Sequence, residues 1–261
     1  MNDFIDKLLV GNCVEILKNI NDNFVDLTVT SPPYDDLRNY NGYSFDFELI
    51  AREIYRVTKN GGVLVWVVND KINGGRSLTS FKQALFFQEI GFSVHDVMIY
   101  AKKNTPFMRS NAYTNAYEYM LILSKGKPKT FNPLMEDTVR QGFEMVVANK
   151  GADAKNNKVL KELKPKKVKT NIWTYAVGLG GTTKDRVAFE HPAVLPEKLA
   201  QDHILSWSNE NDIVLDPMCG SGTTCKMAKT HKRHYIGIDI SEEYISIAKQ
   251  RVAKVNDLFS M

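Results

Sequence analysis

The sequence of 261 residues predicts an α/β fold in which helices cover both faces of a mostly parallel sheet. Three observations lead to this prediction. Apolar runs of strand length alternate with segments of helical periodicity over residues 1–124, and the same alternation returns over residues 184–261. Between residues 125 and 183 it fails, because glycine, lysine and asparagine interrupt every candidate period. We therefore expect two halves of one sheet domain, 1–124 and 184–261, with an insertion at 125–183.

The first half predicts strands and helices in turn. The strands are expected at residues 26–30, 63–68, 94–100 and 117–123. A helix running from Phe47 to Val57 should be closed by Gly61-Gly62. A second helix, marked by the apolar residues Leu78, Phe81 and Leu85, should stop before Gly91.

The second half repeats the pattern. Pro196 suits the first turn of a helix, because its ring fixes φ at a helical value. Strands are expected at residues 213–215 and 234–238, with a glycine turn and a helix from Thr223 between them. Ser241 is a good N-cap for the last helix.

Composition places few limits on function. The formal charge of +4 is mild, but lysines are frequent between Lys125 and Lys169 and acids are few among them. That excess suits a polyphosphate partner, although a solvated surface explains it equally well. Three cysteines without a CxxC pair suit a reducing cytoplasm. The N-terminus lacks signal-peptide features, and the longest apolar run, Val63–Val68, is too short for a membrane span.

The glycine turn after residues 213–215 predicts a nucleotide-like ligand at the carboxyl end of a parallel strand. The third glycine of the dinucleotide fingerprint is replaced by Cys225. Asp216 would repel a pyrophosphate but attract an amino group, and no P-loop lysine follows. These features favour S-adenosylmethionine over NAD or ATP. The predicted contacts are Asp216, Pro217, Met218, Cys219, Gly220, Ser221, Gly222 and Thr223, together with Asp239 and Ile240 at the end of the next strand.

A second motif, Ser31-Pro32-Pro33-Tyr34, follows the strand at residues 26–30. In this order, with the glycine turn far downstream, the two motifs resemble the beta group of amino-methylating DNA methyltransferases. The resemblance covers most of the chain outside the insertion. It implies a Rossmann-like sheet with permuted motif order, S-adenosylmethionine as methyl donor and no metal. It also implies a target-recognition region between the two motifs, where the lysine-rich insertion lies.

The resemblance assigns catalysis to Ser31, Pro32, Pro33 and Tyr34. An exocyclic base amine is a poor nucleophile because its lone pair is delocalised into the ring. The Ser31 hydroxyl and the Pro32 carbonyl can accept hydrogen bonds from its two N–H groups, while the rigid Pro-Pro backbone fixes the direction of these acceptors. Tyr34 offers a face for a base that has left the duplex.

Further site residues come from the same resemblance. Asn12 and Cys13 are the expected contacts near the cofactor's adenine, since Gly11-Asn12 stands where the family usually has Gly-Asp, and asparagine at this position lacks the charge of the aspartate. His191 and Pro192 match a segment beside the cofactor's methionine end. The expected DNA contacts are Arg38, Tyr40, Lys155, Lys158, Lys164, Lys166, Lys167 and Lys169.

Serine at the first catalytic position favours methylation of cytosine N4 over adenine N6 within this family. The adenine enzyme remains the nearest alternative, followed by methylation of RNA or of a protein amide. A DNA-binding protein with a vestigial cofactor site is an alternative of another class. Double-stranded DNA is the expected partner, a separate restriction endonuclease could accompany the enzyme, and monomer and dimer stay open.

Two other chemistries are disfavoured by the residues. Methylation at cytosine carbon 5 needs a thiolate that usually follows proline, and none of Cys13, Cys219 and Cys225 does. His231 and His234 lack acids or cysteines at metal-ligand spacing, so no metal is expected. His95 and His203 are expected to be structural.

Overall fold

The computed structural model describes residues 3–33, 45–104, 110, 112–140, 142–147 and 158–255. The chain divides into a larger unit, residues 1–132 with 171–261, and a smaller unit, Pro133–Thr170. Residues 125–132 and 171–183 of the predicted insertion therefore lie in the larger unit. No helix in the described part of the chain has the length and apolarity needed to cross a membrane.

The described residues form strands and helices in the following order along the chain. The strands are β1 (Lys7–Val10), β2 (Val25–Thr30), β3 (Thr58–Val68), β4 (Ser93–Lys102), β5 (Tyr117–Ser124), β6 (Met135–Asp137), β7 (Phe143–Val147), β8 (Lys158–Glu162), β9 (Lys166–Val168), β10 (Ile172–Tyr175), β11 (Ile213–Asp216) and β12 (His234–Asp239). The helices are α1 (Cys13–Leu17), α2 (Phe47–Val57), α3 (Thr79–Glu89), α4 (Glu197–Trp207), α5 (Thr223–Thr230) and α6 (Glu242–Ala253), with a 3₁₀ turn at Arg186–Glu190.

The larger unit contains an eight-stranded sheet in the order β1-β12-β11-β2-β3-β5-β4-β10. Only β5 runs antiparallel to its neighbours in this sheet, pairing with β3 and β4. Every residue of β3 from Val63 to Val68 is at most 1% exposed, so both faces of that strand are covered. The prediction of a mostly parallel, doubly covered sheet is confirmed.

Helix α2 forms for the reasons the sequence suggested. The Asp46 side chain accepts a hydrogen bond from the Leu49 amide and caps the helix, and Ile50, Ile54 and Val57 are buried on one face. The helix ends at Val57, as predicted, but Gly61-Gly62 does not close it, because β3 already starts at Thr58. The Gly61-Gly62 pair lies within the strand, at a shift of register against β2. A Cβ on Gly62 would approach the Asp26 carbonyl to 2.9 Å, so glycine there serves close packing.

Helix α3 was predicted in the right place but with the wrong buried face. Leu78, Phe81 and Leu85 are 48%, 51% and 67% exposed. The buried face instead carries Ser80 and Gln83, whose side chains are hydrogen-bonded in the core. Ser80 donates to the Asp70 carboxylate, and Gln83 accepts from the Trp66 indole over 2.8 Å. Buried polar side chains with hydrogen-bond partners therefore occupy the positions at which helical periodicity would predict apolar residues.

The smaller unit consists of two antiparallel ribbons in the described residues. Strand β6 pairs with β9, and β7 pairs with β8. The four strands are three to five residues long, and β8 and β9 carry lysines, so no extended alternation of apolar and polar residues predicts them. The following strand, β10, pairs parallel with β4 and belongs to the main sheet.

Candidate cofactor and catalytic site

The candidate site begins with the ends of four parallel strands. Strands β1, β12, β11 and β2 are neighbours and run in the same direction. Val10 lies opposite Asp239, and Asp216 lies opposite Gly237. The segments that follow these strands therefore emerge at one edge of the sheet, where ligands of open α/β sheets bind. The order β11-β2 brings the downstream glycine turn beside the upstream Ser-Pro-Pro turn.

The glycine turn needs both of its glycines for packing. Gly220 and Gly222 have positive φ values of +47° and +76°, a region that disfavours side chains. A Cβ on Gly220 would lie 2.7 Å from Nε2 of His191, and one on Gly222 would lie 2.6 Å from Cβ of Ala248. The turn therefore packs closely against the His191 segment on one side and against α6 on the other. Pro217 and Cys219 are buried, and Met218 is half-buried.

The position of the missing third glycine has a structural explanation. Cys225 is fully buried on α5, and a Cβ on Gly237 would lie 2.6 Å from its sulfur. The strand glycine therefore provides the close helix–strand approach that a glycine on the helix would otherwise allow.

Asp239 holds the glycine turn from the neighbouring strand. Its Oδ2 accepts a hydrogen bond from the Gly220 amide over 2.8 Å, and its Oδ1 accepts from the Ser241 amide over 2.9 Å. Its backbone carbonyl accepts from the Gly11 amide. The side chain is half-buried, and each carboxylate oxygen has a further lone pair for a ligand hydroxyl. Ile240, the next residue, is also half-buried.

Asp216 is a buried carboxyl at the start of the glycine turn. It is 5% exposed, and its Oδ1 accepts hydrogen bonds from the Thr30 hydroxyl at 2.8 Å and from the Met218 amide at 3.2 Å. Burial raises the pKa of Asp216 to about 6, although the hydrogen bonds from the Thr30 hydroxyl and the Met218 amide oppose that rise. A cationic group would restore the charged form, which suits the amino group expected there.

The Ser-Pro-Pro turn follows Thr30 directly. Ser31 and Pro33 are half-buried, and Pro32 is buried. Thr224, in the first turn of α5, donates its hydroxyl hydrogen bond to the Val29 carbonyl at 3.1 Å. Strand β2 is therefore tied to the glycine turn through Thr30 and to α5 through Val29. Tyr34, Arg38 and Tyr40 lie outside the described residues.

The N-terminal candidates lie at the same edge of the sheet. The Asn12 side chain caps α1 by accepting a hydrogen bond from the Val14 amide at 2.9 Å, and the residue is exposed. Burial raises the pKa of the Cys13 thiol to about 11. A hydrogen bond with Cys225, together with burial, raises the pKa of Cys219 well above its ordinary value. The side chains of Cys13 and Cys219 are therefore neutral thiols at neutral pH rather than thiolate nucleophiles.

The His191 segment covers the glycine turn. His191 is 8% exposed, and its Nδ1 lies 2.6 Å from the carbonyl oxygen and 3.1 Å from the amide of Ala193. Its ring packs edge-on against Tyr244 at 4.3 Å. Pro192 is exposed, and Pro196 directly precedes α4 rather than lying in its first turn.

Several buried polar residues near the site were not identified from the sequence. They are Thr30, Thr224 and a group of charged side chains centred on the fully buried Arg251. Arg251 donates to the carbonyl and hydroxyl of Ser221 and to the hydroxyl of Thr223. A signal did exist, because Arg251 interrupts the apolar face of the last helix, where a charge is rare unless it is paired.

The predicted DNA contacts lie in the smaller unit, apart from Arg38 and Tyr40. Lys158, Lys164, Lys166 and Lys167 are exposed, Lys169 is half-buried, and Lys155 lies outside the described residues. Lys125, at the start of the lysine-rich stretch, belongs to the larger unit. Its ammonium donates to the Tyr55 and Thr58 carbonyls at 2.9 and 3.0 Å, which is a structural role.

Within the described ranges, no group of three or more His, Cys, Asp or Glu side chains could hold a metal ion. His234 is 2.8 Å from the Asp6 carboxylate, and complete burial lowers the pKa of His203 to about 3. His203 is therefore a neutral core residue, as the sequence predicted.

Comparison with known proteins decides the family. The model of the N6/N4 DNA methylase family matches residues 25–250, which include the Ser-Pro-Pro and glycine turns. The chain belongs to this family. The DNA methylase is 54% identical over 245 residues to the orphan methyltransferase M.BamHII of Bacillus amyloliquefaciens, covering 90% of this chain and 91% of that protein.

Solved structures agree with the fold of the methylase. The complex of M1.HpyAVI with S-adenosylmethionine has a TM-score of 0.63 at 25% identity, over 94% of this chain and 98% of that one. The cytosine-N4-specific PvuII DNA methyltransferase has a TM-score of 0.68 at 17% identity, over 97% and 90%. The predicted family, fold and cofactor are confirmed, and S-adenosylmethionine is the methyl donor of this family.

Proposed function

We propose that this DNA methylase transfers a methyl group to N4 of cytosine within a short sequence of duplex DNA. The observation that carries the proposal is the hydrogen bond from Thr30 to Asp216, because it joins the residue before Ser31 to the first residue of the glycine turn. Amine acceptors and the cofactor turn thereby share one edge of the sheet. Serine at the first catalytic position supports cytosine N4 over adenine N6.

The residues of the glycine turn fit S-adenosylmethionine by their chemistry. Asp216 provides a buried carboxyl for the ammonium of the methionine moiety, and Asp239 provides acceptors for the ribose hydroxyls. Gly220 and Gly222 keep side chains out of the turn. When bound, the cofactor supplies an electrophilic methyl group on a sulfonium.

The residues of the Ser-Pro-Pro turn would then activate the amine. The Ser31 hydroxyl oxygen and the Pro32 carbonyl oxygen would accept hydrogen bonds from its two N–H groups, so that the nitrogen lone pair is freed from the ring. That lone pair would form the new bond to the methyl carbon while the carbon–sulfur bond of the sulfonium breaks and leaves its electron pair on sulfur, and the methylated amine would lose its proton to water. The neutral thiols of Cys13 and Cys219 agree with direct transfer rather than a covalent enzyme intermediate.

The smaller unit is the proposed DNA-recognition element. Residues 133–170 contain nine Lys and Arg and five Asp and Glu, a net charge of +4 that equals that of the whole chain. The remainder of the chain is therefore neutral overall. A concentrated positive charge favours phosphate contacts, because binding releases counterions from DNA. We assign these contacts to Lys155, Lys158, Lys164, Lys166, Lys167 and Lys169, and we assign further DNA contacts to Arg38 and Tyr40.

The test is incubation with mixed-sequence duplex DNA and isotopically labelled S-adenosylmethionine, followed by mass spectrometry of the nucleosides. The control is Ser31→Ala with the same DNA. N4-methylcytosine is expected. N6-methyladenine would overturn the assignment of the base while keeping the reaction class. Absence of methylated nucleosides despite cofactor binding would redirect the proposal to RNA or protein acceptors, and absence of cofactor binding would favour a vestigial site.

A further inference from the structure

The segment that carries His191 is anchored at both ends by the same two cations. This segment, residues 185–197, is called the strap below. It begins at Asp185, before the 3₁₀ turn, and ends at Glu197, the first residue of α4. Lys226 on α5 is 2.7 Å from both Asp185 Oδ2 and Glu197 Oε1. Arg251 on α6 donates from Nε to Asp185 at 3.2 Å and from Nη2 to Glu197 at 2.8 Å.

Arg251 also holds the glycine turn itself. Its Nη1 donates to the Ser221 carbonyl at 2.6 Å and to the hydroxyls of Ser221 and Thr223 at 3.0 Å each. The side chain is 0% exposed. One guanidinium therefore fixes three elements relative to each other, namely the start of the strap, the start of α4 and the turn between β11 and α5.

The middle of the strap lies against the same turn. His191 is close enough to Gly220 that a Cβ there would come within 2.7 Å of its Nε2. The charged cluster of Asp185, Glu197, Lys226 and Arg251 thus holds the strap at both ends, while His191 contacts the turn between them. Two acids and two cations balance in charge, and each partner compensates the desolvation of the others.

We propose that this four-residue cluster is a positioning device for cofactor binding, setting the strap so that His191 forms a wall of the methionine end of the cofactor site. The inference rests on the proposed function, which assigns the glycine turn to S-adenosylmethionine. The four residues do not touch the cofactor; they act through His191 and through the turn. Their loss therefore weakens cofactor binding more than it slows methyl transfer at saturating cofactor.

The test compares Lys226→Met and Glu197→Gln with wild type. The matched control is Lys249→Met, which removes the same charge from an exposed position on α6. Cofactor dissociation constants come from titration calorimetry with S-adenosylhomocysteine, and kcat comes from methylation of duplex DNA at saturating cofactor. Hydrogen exchange over residues 186–193 reports the strap without any dependence on activity, and thermal melting shows that each variant is folded.

For Lys226→Met we expect the dissociation constant to rise about tenfold, as is typical for coupling through packed polar networks, with kcat within about twofold of wild type. In the same variant, hydrogen exchange of residues 186–193 should become faster than in wild type, while exchange elsewhere is unchanged. Glu197→Gln should show a smaller rise in the dissociation constant and in strap exchange. Lys249→Met should match wild type in both measurements. Unchanged affinity in folded variants, or a loss of kcat alone, would overturn the positioning role. Failure of the wild type to bind the probe would instead count against the proposed function.

Discussion

Thr30 donates its hydroxyl hydrogen bond to Asp216 over 2.8 Å, linking residues that are 186 positions apart in the chain. Thr30 is 0% exposed and Asp216 is 5% exposed, so water does not compete for this bond. It lies between the end of β2, which continues into Ser31, and the beginning of the glycine turn. The relative position of the two turns therefore depends on this buried contact, together with the hydrogen bond from Thr224 to the Val29 carbonyl and the pairing of β2 with β11.

Thr30→Val should remove that contact while keeping the side-chain shape. A buried carboxyl that loses a partner costs about 1–3 kcal/mol, so the free energy of unfolding should fall by that amount, and cofactor affinity should fall with it. Urea denaturation and calorimetry measure the two effects. Thr28→Val is the matched control, because Thr28 lies in the same strand at 0% exposure and its hydroxyl has no hydrogen-bond partner among the described residues. Equal losses in both variants would contradict the role of the Thr30 bond.

Cofactor affinity should depend on pH through Asp216. Its pKa is raised from an ordinary 3.8 to about 6 by burial, so the carboxyl is ionised above about pH 6 and becomes neutral below it. An ammonium ligand favours the ionised form, so affinity should be constant above pH 6 and fall by up to about tenfold per pH unit below it. Titrations from pH 5 to 8 measure this profile. Asp216→Asn should bind the cofactor weakly, and its affinity should not change with pH. If the affinity of that variant kept the pH dependence of wild type, another titratable group would be responsible for it.

The same group has the opposite effect on folding. Because its folded pKa lies above its unfolded value, the contribution of Asp216 to stability is fully present below pH 3.8 and is lost as the pH rises through about 6. Asp216→Asn should therefore raise the free energy of unfolding of the cofactor-free protein near neutral pH. A loss of stability at pH 7 in that variant would show that the hydrogen bonds to Thr30 and Met218 outweigh the cost of burying the charge.

Ser31→Ala and Asp239→Ala should separate transfer from cofactor binding. Losing an acceptor for the reacting amine should lower kcat by about 10²–10³-fold, with little change in cofactor affinity. Asp239→Ala removes the acceptor of the Gly220 and Ser241 amides, so cofactor affinity should fall first. Single-turnover methylation measures transfer and calorimetry measures cofactor affinity in both variants, so each variant serves as the control for the other. Similar losses of cofactor binding in both would refute the assigned roles.

Local signals in the sequence were sufficient for most strands of the sheet and for the two turns, but not for β10, which lies where no strand was predicted. Apolar runs predicted β2, β11 and β12, and Ser241 caps α6 by accepting from the Tyr244 amide, as expected. The exposed face of α3 was misassigned because Ser80 and Gln83 find partners, Asp70 and Trp66, that periodicity cannot reveal. Contacts between distant segments, such as Thr30 with Asp216, depend on strand order and were likewise inaccessible.

The smaller unit was harder for a different reason. Strands β8 and β9 combine lysines with a few apolar residues, and every residue of both strands is exposed. A segment that buries little apolar surface gives no hydrophobic period from which strands can be predicted. Its charge, in contrast, can be counted directly from the residues, and that count by itself favours a phosphate-bearing partner.

Replacing Lys158, Lys164 and Lys166 with alanine should weaken DNA binding and flatten its dependence on salt. The three side chains are exposed, so their loss should leave the free energy of unfolding nearly unchanged. Each phosphate contact removed should lower the slope of log K against log salt by about 0.9. Fluorescence anisotropy with duplex DNA between low and moderate salt measures the slope.

The control for that experiment is a triple variant of Lys82, Lys249 and Lys254, which are exposed lysines of the larger unit and carry the same total charge. Net charge alone would lower binding equally in the two triple variants, since long-range attraction does not distinguish positions on the surface. A smaller slope only in the variant of the smaller unit would locate the phosphate contacts there. Identical slopes in wild type and that variant would show that those three lysines do not contact phosphates. The phosphate contacts would then have to lie at the edge of the larger unit that carries the Ser-Pro-Pro and glycine turns.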